Sequence, residues 1–370
     1  MRTGSLEYSK DGKESCPLKL GLGLYRHLLT TENFRFAKQI GCTHLIVHLA
    51  EYYKKILPAT NEKINYGRST ANDSVWELDS LLRLKAAAAA EGLEIYGIEN
   101  FSPADWYDIL LDGPNKAVQM EKLKRIITNV GKAGIKSFGY NFSIAGVWGH
   151  QKLPVARGGA ISSCFHASQL KIDEPIPNGE VWNMTYDPDA PDGYVPRITY
   201  DELWQRLEWF LKRILPVAED AGVEMALHPD DPPMPMLRNT PRLIYQPELY
   251  QKLIDLVPSP SNKLEFCMGS IQEMTHGNIY DAIEQYASRQ KISYVHFRNV
   301  VGKVPDYNEV FVDEGDIDMV KALRILKRCH FSGVIIPDHT PEITCGAPWH
   351  AGMAYALGYM KAALKMIDGE

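Results

Sequence analysis

Short apolar runs alternate with longer segments of helical period eight times along the chain, and this alternation constrains the fold more than any other feature. Apolar runs rich in β-branched and aromatic residues predict buried strands, and repeated β–α units predict a parallel sheet. The predicted strands are Lys19–Leu24, His44–Leu49, Glu94–Phe101, Lys136–Phe142, Glu224–Asp230, Lys263–Ser270, Ile292–Val300 and Gly333–His339. The predicted helices are Thr31–Ile40, Val75–Glu91, Asn115–Ala133, Tyr200–Ala221, Gln246–Val257, Asn278–Arg289, Met319–Cys329 and Ala351–Ile367. Eight such units predict a (β/α)8 TIM barrel, with a doubly wound open sheet as the alternative.

One connection is much longer than the others. Residues 143–196 separate the fourth strand from its helix, whereas loops in α/β units usually have about 2–6 residues. Because this insertion mixes aromatic and apolar residues with Gly and Pro, we expect it to fold over the barrel mouth as a lid or to form an oligomer contact. Residues 1–16 are expected to be a flexible extension, and residues 17–370 a single barrel domain.

Composition and charge argue against nucleic acid or a membrane as the binding partner of this chain. The net charge is −6 and the 40 basic residues are dispersed, so the chain lacks the basic surface that nucleic acid requires. No apolar run approaches the roughly 18 residues of a membrane span, and the N-terminus has no secretory signal. We therefore expect a cytoplasmic homo-oligomer that acts on a small molecule. The six cysteines are far apart and contain no C-x-x-C pair, which favours thiols over disulfides.

The last four predicted strands end on residues that bind metals. His228, Cys267, His296 and Asp338 lie at or near these strand ends, and TIM-barrel chemistry takes place at the carboxyl ends of the strands. Each residue alone has a structural explanation, as a core histidine, a small buried thiol or a turn carboxylate. Two imidazoles, a thiolate and a carboxylate at one mouth together predict a divalent transition-metal site with open positions for substrate.

Other strand ends supply polar groups that are candidates for contacting substrate. His48, Glu99 and Asn141 end the second, third and fourth strands, and each either contacts substrate or closes a turn. Arg298 shares the strand parity of His296 and is a candidate clamp for a substrate carboxylate, with a structural ion pair as the alternative.

Three further residues have predicted roles near this mouth. His339 follows Asp338 and is a candidate acid or base, since the metal ligand would hold its backbone. Asp230 is a candidate for orienting His228 from behind, or else caps a turn. His350 opens the last helix and is a candidate substrate contact, with a helix-cap role as the alternative.

Five motifs resemble the D-mannonate dehydratase family in order and spacing: "HPDDPP" at 228–233, "FC-x-GS" at 266–270, "H-x-RNV" at 296–300, "GDIDM" at 315–319 and "PDH" at 337–339. The resemblance implies a xylose-isomerase-like TIM barrel. It also implies one Mn²⁺ or Fe²⁺ ion held by the His, Cys, His, Asp set named above, and dehydration of a sugar acid to a 2-keto-3-deoxy sugar acid. Glu309 matches a Glu of that family six residues before the "GD" pair, and the resemblance implies a catalytic role for it beside His339 and Arg298.

The chain departs from the family pattern where substrate is expected to bind. Met268 stands where the family typically has Thr, no Tyr occurs between "PDH" and the last helix, and "SIAGVWGHQ" follows "YNF" where an aromatic-Asp-Trp run is expected. These differences leave two alternatives to a D-mannonate dehydratase: a metal-dependent sugar isomerase or epimerase, and a non-catalytic protein that binds a sugar acid.

Overall fold

Eight parallel strands close into a barrel in this structure, a computed structural model that describes residues 18–51 and 67–369. The strands are β1 (Lys19–Leu24), β2 (His44–Val47), β3 (Glu94–Glu99), β4 (Ser137–Tyr140), β5 (Glu224–Leu227), β6 (Asn262–Cys267), β7 (Ile292–His296) and β8 (Val334–Ile336). Each pairs with the next, and β8 pairs with β1. The predicted TIM barrel is therefore confirmed over the open sheet. The predicted N-terminal extension lies outside the described residues.

Helices surround the barrel. They are α1 (Thr31–Gln39), α2 (Leu78–Ala90), α3 (Pro103–Leu111), α4 (Lys116–Lys132), α5 (Tyr200–Ala221), α6 (Leu249–Leu256), α7 (Met268–Glu273), α8 (Ile279–Ser288), α9 (Met319–Arg328) and α10 (Pro348–Asp368). The two ends of α5 show why this helix starts and stops where it does. Thr199 and Glu202 form a capping box, and Gly222 ends the helix with a left-handed φ of 68°, which glycine adopts without steric cost.

Two of these helices differ from the sequence analysis. The prediction that the sixth strand extends to Ser270 is wrong, because the strand ends at Cys267 and α7 begins at once. The Cys267 thiol accepts a hydrogen bond from the backbone N–H of Ser270, as a helix N-cap does. Similarly, α3 directly follows β3 and has a proline in its first turn, a position that proline tolerates.

A four-stranded antiparallel sheet lies beside the barrel. The prediction of one strand over Ile292–Val300 is wrong, since Asn299–Lys303 leaves the barrel and pairs with Asp306–Val310. That strand pairs with Ala160–His166, which in turn pairs with Gln151–Ala156. We call these four strands the flanking sheet. It joins the long insertion to the connection that follows β7.

The barrel interior is filled with side chains below the mouth. Ile46, Tyr96, Ala226, Tyr294, Val334 and Ile336 pack together there. The Tyr96 hydroxyl donates to the Ser293 carbonyl at 3.1 Å, which satisfies the one polar atom of that ring. The packed interior therefore leaves no channel through the described barrel, and a separate small polar pocket lies at the amino ends of the strands beside Lys136, Glu224 and Lys263. Among the described residues, no helix is long and apolar enough to cross a membrane.

Candidate metal centre and active site

A cavity opens at the carboxyl ends of the strands. Its walls come from strand ends and from the insertion after β4. The lining residues are Tyr25, His48, Glu99, Asn100, Asn141, Val147, His150, Ser163, Trp182, His228, Asp231, His296, Arg298, Asp338 and His339.

The residues predicted as metal ligands come together in this cavity. Ligand atoms of His228, Cys267 and His296 all lie within 4.8 Å of one another. Asp338 Oδ2 is 3.3 Å from His296 Nδ1. The barrel register explains the meeting, because Cys267 pairs with His296 across β6 and β7, and successive parallel strands end at one rim.

The local charges favour a thiolate at Cys267. Burial alone would raise the pKa of this thiol, but the Arg298 charge and hydrogen bonds from His228 and His296 lower it to about 5. Burial would likewise lower the pKa of His228, yet its hydrogen bond to Cys267 and the charge of Glu265 raise it to about 9. A cation bound here would therefore displace a proton from His228 and take over the pairing with the sulfur.

The donor atoms of His296 suit a divalent cation. Its buried Nδ1 faces two of the other candidate ligands, since Asp338 Oδ2 is 3.3 Å away and the Cys267 sulfur lies in the same cluster. Its Nε2 faces Glu265 Oε1 at 3.2 Å and Glu99 Oε2 at 3.3 Å. Carboxylates on one imidazole nitrogen hold the proton there and leave the other nitrogen bare for a metal. Together with a thiolate and a carboxylate, this nitrogen makes a donor set that fits a transition metal.

Glu265 is a site residue that the sequence analysis missed. It is fully buried, and burial together with the charge of Glu99 raises its pKa to about 8. Burial acts on Glu99 in the same sense, but the charges of His48 and His296 lower the Glu99 pKa to about 2. Glu265 lies two residues before Cys267 and shares its strand parity, which was the available signal.

Arg298 lines the cavity as predicted, but protein carboxylates surround its guanidinium. Its Nη2 contacts Asp231 and Glu273, and its Nη1 contacts Glu309 and Asp338. A side chain at Gly269 would place its Cβ 2.3 Å from Arg298 Nε, so the glycine makes room for the guanidinium. Arg298 therefore orders the acids around the candidate metal centre, and its contact with substrate stays a prediction.

Glu309 holds His339 and is not part of the cavity wall. It lies on the flanking sheet, 2% exposed, and both its carboxylate oxygens are 3.1 Å from His339 Nδ1. Burial would raise the pKa of Glu309, but the charges of His339 and Arg298 lower it to about 2. The position contradicts a direct contact between Glu309 and substrate, and it leaves His339 Nε2 as the nitrogen available for proton exchange.

The prediction that Asp230 orients His228 is wrong. Asp230 Oδ2 accepts hydrogen bonds from the backbone N–H groups of Leu243 and Ile244, and Oδ1 is 3.0 Å from Arg242 Nε. His228 Nδ1 instead lies 2.6 Å from the carbonyl of Pro229. Strand parity fails here because β5 ends at Leu227, so residues beyond it no longer alternate between the two faces.

We therefore expect Asp230→Ala to reduce stability without weakening metal binding. It would leave the fully buried Arg242 guanidinium without its carboxylate, and truncating one partner of a buried ion pair costs about 3–5 kcal/mol. Urea unfolding measures the loss, and Mn²⁺ titration of the folded variant measures metal affinity. A variant of normal stability with weakened Mn²⁺ binding would contradict the structural role.

Asp231 lines the cavity and holds a buried network that the sequence analysis missed. Its Oδ1 accepts from the Tyr307 hydroxyl at 2.7 Å and lies 3.2 Å from His150 Nε2, while Oδ2 accepts from Ser270 at 3.1 Å. Tyr307 comes from the flanking sheet and His150 from the insertion, so this network ties both to the barrel. Nothing in the local sequence distinguishes Asp231 from Asp230.

The remaining predicted substrate contacts divide into two groups. His48, Glu99 and Asn141 line the cavity. His350 lies outside it, with Nε2 2.9 Å from Asn33 Oδ1 and its ring packed edge-on against Phe36. The first turn of α10 faces α1 rather than the barrel axis, so the structure gives the predicted contact of His350 with substrate no support.

Comparison with known proteins agrees with this geometry. The sequence profile of the D-mannonate dehydratase (UxuA) family matches residues 64–364. A mannonate dehydratase of Streptococcus equi subsp. zooepidemicus is 34% identical over 279 residues, which are 72% of this chain and 76% of that protein. One from Streptococcus suis is 33% identical over 281 residues, 72% of this chain and 75% of that protein.

Solved structures extend the likeness to the whole fold. The crystal structure of mannonate dehydratase from Streptococcus suis serotype 2 superposes with a TM-score of 0.75 at 26% identity, covering 95% of this chain and 93% of that one. A xylose isomerase domain protein from Alicyclobacillus acidocaldarius gives a TM-score of 0.60 at 11% identity, over 95% of this chain and 100% of that one, and this shows the fold alone. The resemblance in the sequence motifs is confirmed: the chain belongs to the D-mannonate dehydratase (UxuA) family.

Proposed function

We propose that the chain is a metal-dependent hydro-lyase that dehydrates a sugar acid, with D-mannonate as the default substrate, to a 2-keto-3-deoxy sugar acid. One observation carries this proposal. In a member of the mannonate dehydratase family, donor atoms of His228, Cys267 and His296 meet within 4.8 Å, with Asp338 beside them, and His228, His296 and Asp338 line the cavity at the strand ends.

The proposed cofactor is one divalent ion, Mn²⁺ or Fe²⁺, held by His228, Cys267, His296 and Asp338. When bound, such an ion supplies positive charge that stabilises the negative charge which develops on the substrate carboxylate as the C2 proton leaves. The Cys267 thiolate favours softer metal ions, whereas the Asp338 carboxylate suits Mn²⁺. Arg298, beside Asp338 and Asp231, fixes the orientation of these acids and supplements the positive charge.

His339 is the proposed proton carrier. It lines the cavity with a side chain that is 36% exposed, and Glu309 holds its Nδ1. Nε2 accepts the C2 proton, and the C2–H electron pair moves into the carboxylate to give an aci-carboxylate. That pair then forms the C2–C3 double bond as hydroxide leaves C3. The imidazolium returns the proton to the departing hydroxide as water, and the enol tautomerises to the 2-keto-3-deoxy acid. The insertion contributes Val147, His150, Ser163 and Trp182 to the wall of the same cavity.

A cytoplasmic location and a homo-oligomeric state belong to the same proposal. The five described cysteines are free thiols, the usual state in a reducing compartment. Tyr194 in the insertion exposes 62% of its surface, and a large exposed aromatic side chain suits a subunit contact. Light scattering of the purified protein tests the oligomeric state.

Turnover with and without metal tests the proposed reaction. With D-mannonate and Mn²⁺ or Fe²⁺, we expect a 2-keto-3-deoxy acid, detected by the ultraviolet absorbance of its semicarbazone. EDTA should abolish the product, and added metal should restore it, because the proposed ion supplies most of the positive charge that stabilises the developing dianion. An isomerase or epimerase would rearrange sugars without making a deoxy acid. A non-catalytic binder would bind D-mannonate and leave it unchanged.

A further inference from the structure

The cavity is divided into a charged half and a neutral half. The carboxyl ends of β5 to β8 carry the candidate metal ligands, Arg298 and His339. On the opposite side, the ends of β3 and β4 and the insertion contribute uncharged residues, namely Asn100, Asn141, Val147, Ser163 and Trp182. Glu99 and His150 also lie on this side. The Glu99 carboxylate contacts His48 and His296, and the two ring nitrogens of His150 contact the Val147 carbonyl and Asp231. We call the five uncharged residues the neutral wall.

Two polar side chains of the neutral wall have unused hydrogen-bonding capacity. Asn141 is 3% exposed and Ser163 is 4% exposed, and neither side chain hydrogen bonds to any residue that the structure describes. Leaving a buried amide or hydroxyl unsatisfied costs free energy, so such groups normally have a partner. Since both groups line the cavity, a bound molecule is the partner that this position offers.

We propose that Asn141 and Ser163 form a subsite that recognises hydroxyl groups on the uncharged end of the substrate. The inference rests on the proposed function, because it requires the substrate carboxylate to lie at the metal half. An amide and a hydroxyl each donate and accept, which matches the hydroxyl groups of a polyol chain. Val147 and Trp182 add apolar surface for the C–H groups between those hydroxyls.

A consequence is selection for sugar acids with a single carboxylate. A diacid of equal length would place its second carboxylate against the neutral wall, where the described residues include no Lys or Arg. Burying an unpaired carboxylate is unfavourable. The subsite therefore accepts an aldonic acid and rejects the corresponding aldaric acid.

A double-mutant cycle between enzyme and substrate tests the subsite. We compare D-mannonate with its 4-, 5- and 6-deoxy analogues on the Mn²⁺-loaded full chain, using wild type and Ser163→Ala. Ser163→Ala should lower affinity for D-mannonate about 5- to 10-fold, the usual worth of one hydrogen bond. For the one analogue that lacks the recognised hydroxyl, the variant should cause no further loss. D-Mannarate should bind wild type at least about 100-fold more weakly than D-mannonate, because its second carboxylate has no cation.

The matched control is Ser162→Ala on the same strand. Ser162 is also buried and its hydroxyl also has no partner, but it does not line the cavity. Its loss should leave all affinities unchanged. Three results would contradict the proposed subsite. The Ser162 and Ser163 variants could bind all ligands equally, the losses could be additive with every analogue, or D-mannarate could bind as tightly as D-mannonate. Calorimetry measures binding separately from turnover, so a protein that binds D-mannonate without dehydrating it still tests the subsite while contradicting the proposed reaction.

Discussion

Cys267→Ala should abolish both metal binding and dehydration while leaving the barrel folded. The thiolate is the only soft ligand of the proposed set, and it sits between His228 and His296. Its removal should weaken Mn²⁺ or Fe²⁺ binding by at least about 100-fold. Mutation of residues that only hydrogen bond to a metal ligand already changes metal affinity about 10- to 100-fold, and loss of a ligand itself should cost more. Turnover should fall on the order of 10³-fold or more at limiting metal, because the developing charge on the carboxylate loses its main stabilisation.

Cys42→Ala provides the matched control for loss of a buried thiol. Cys42 is equally inaccessible, but burial raises the pKa of its thiol to about 12, so it stays neutral and packs in the core. Its variant should lose some stability and keep full metal content by elemental analysis. If the Cys267 and Cys42 variants bound metal equally well, Cys267 would be a packing residue and the proposed centre would be wrong.

The barrel and the meeting of its strand ends follow from patterns that the sequence displays. Parallel strands buried on both faces form continuous apolar runs, and their carboxyl ends lie at one rim whatever the loops do. For this reason His228, Cys267, His296 and Asp338 could be brought together without knowledge of any loop. The structure places their donor atoms as this topology requires.

The surroundings of the centre depend on tertiary contacts that no local pattern encodes. Asp230 and Asp231 are adjacent and identical in type, yet the first pairs with Arg242 and the second with Arg298. The chain direction after β5 decides this, and strand parity does not extend past a strand end. The flanking sheet is similar, because it pairs strands from two distant loops. The flanking sheet places Glu309 behind His339. The sequence motif predicted a catalytic role for Glu309 but could not predict this position.

This arrangement predicts unequal effects for two neighbouring residues. His339→Asn should lower kcat about 10²- to 10⁴-fold, the usual contribution of a general acid–base group, while metal affinity changes little. Glu309→Gln should cause a smaller loss of kcat, because the amide oxygen still accepts from Nδ1–H but the negative charge that favours the imidazolium is gone. The KM for D-mannonate should stay near the wild-type value in the Glu309 variant, since Glu309 does not line the cavity.

Exchange of the C2 proton of D-mannonate with solvent deuterium separates these roles from simple structural damage. His339→Asn should lose exchange and dehydration together, because one nitrogen carries the proton in both. Retained exchange in that variant would assign the base elsewhere in the cavity. Glu309→Gln should slow exchange and dehydration by the same factor, and a variant that instead raised KM alone would place Glu309 in contact with substrate. Because Glu309 reaches His339 from the flanking sheet, equal slowing of exchange and dehydration would give that sheet a part in the proposed proton transfer.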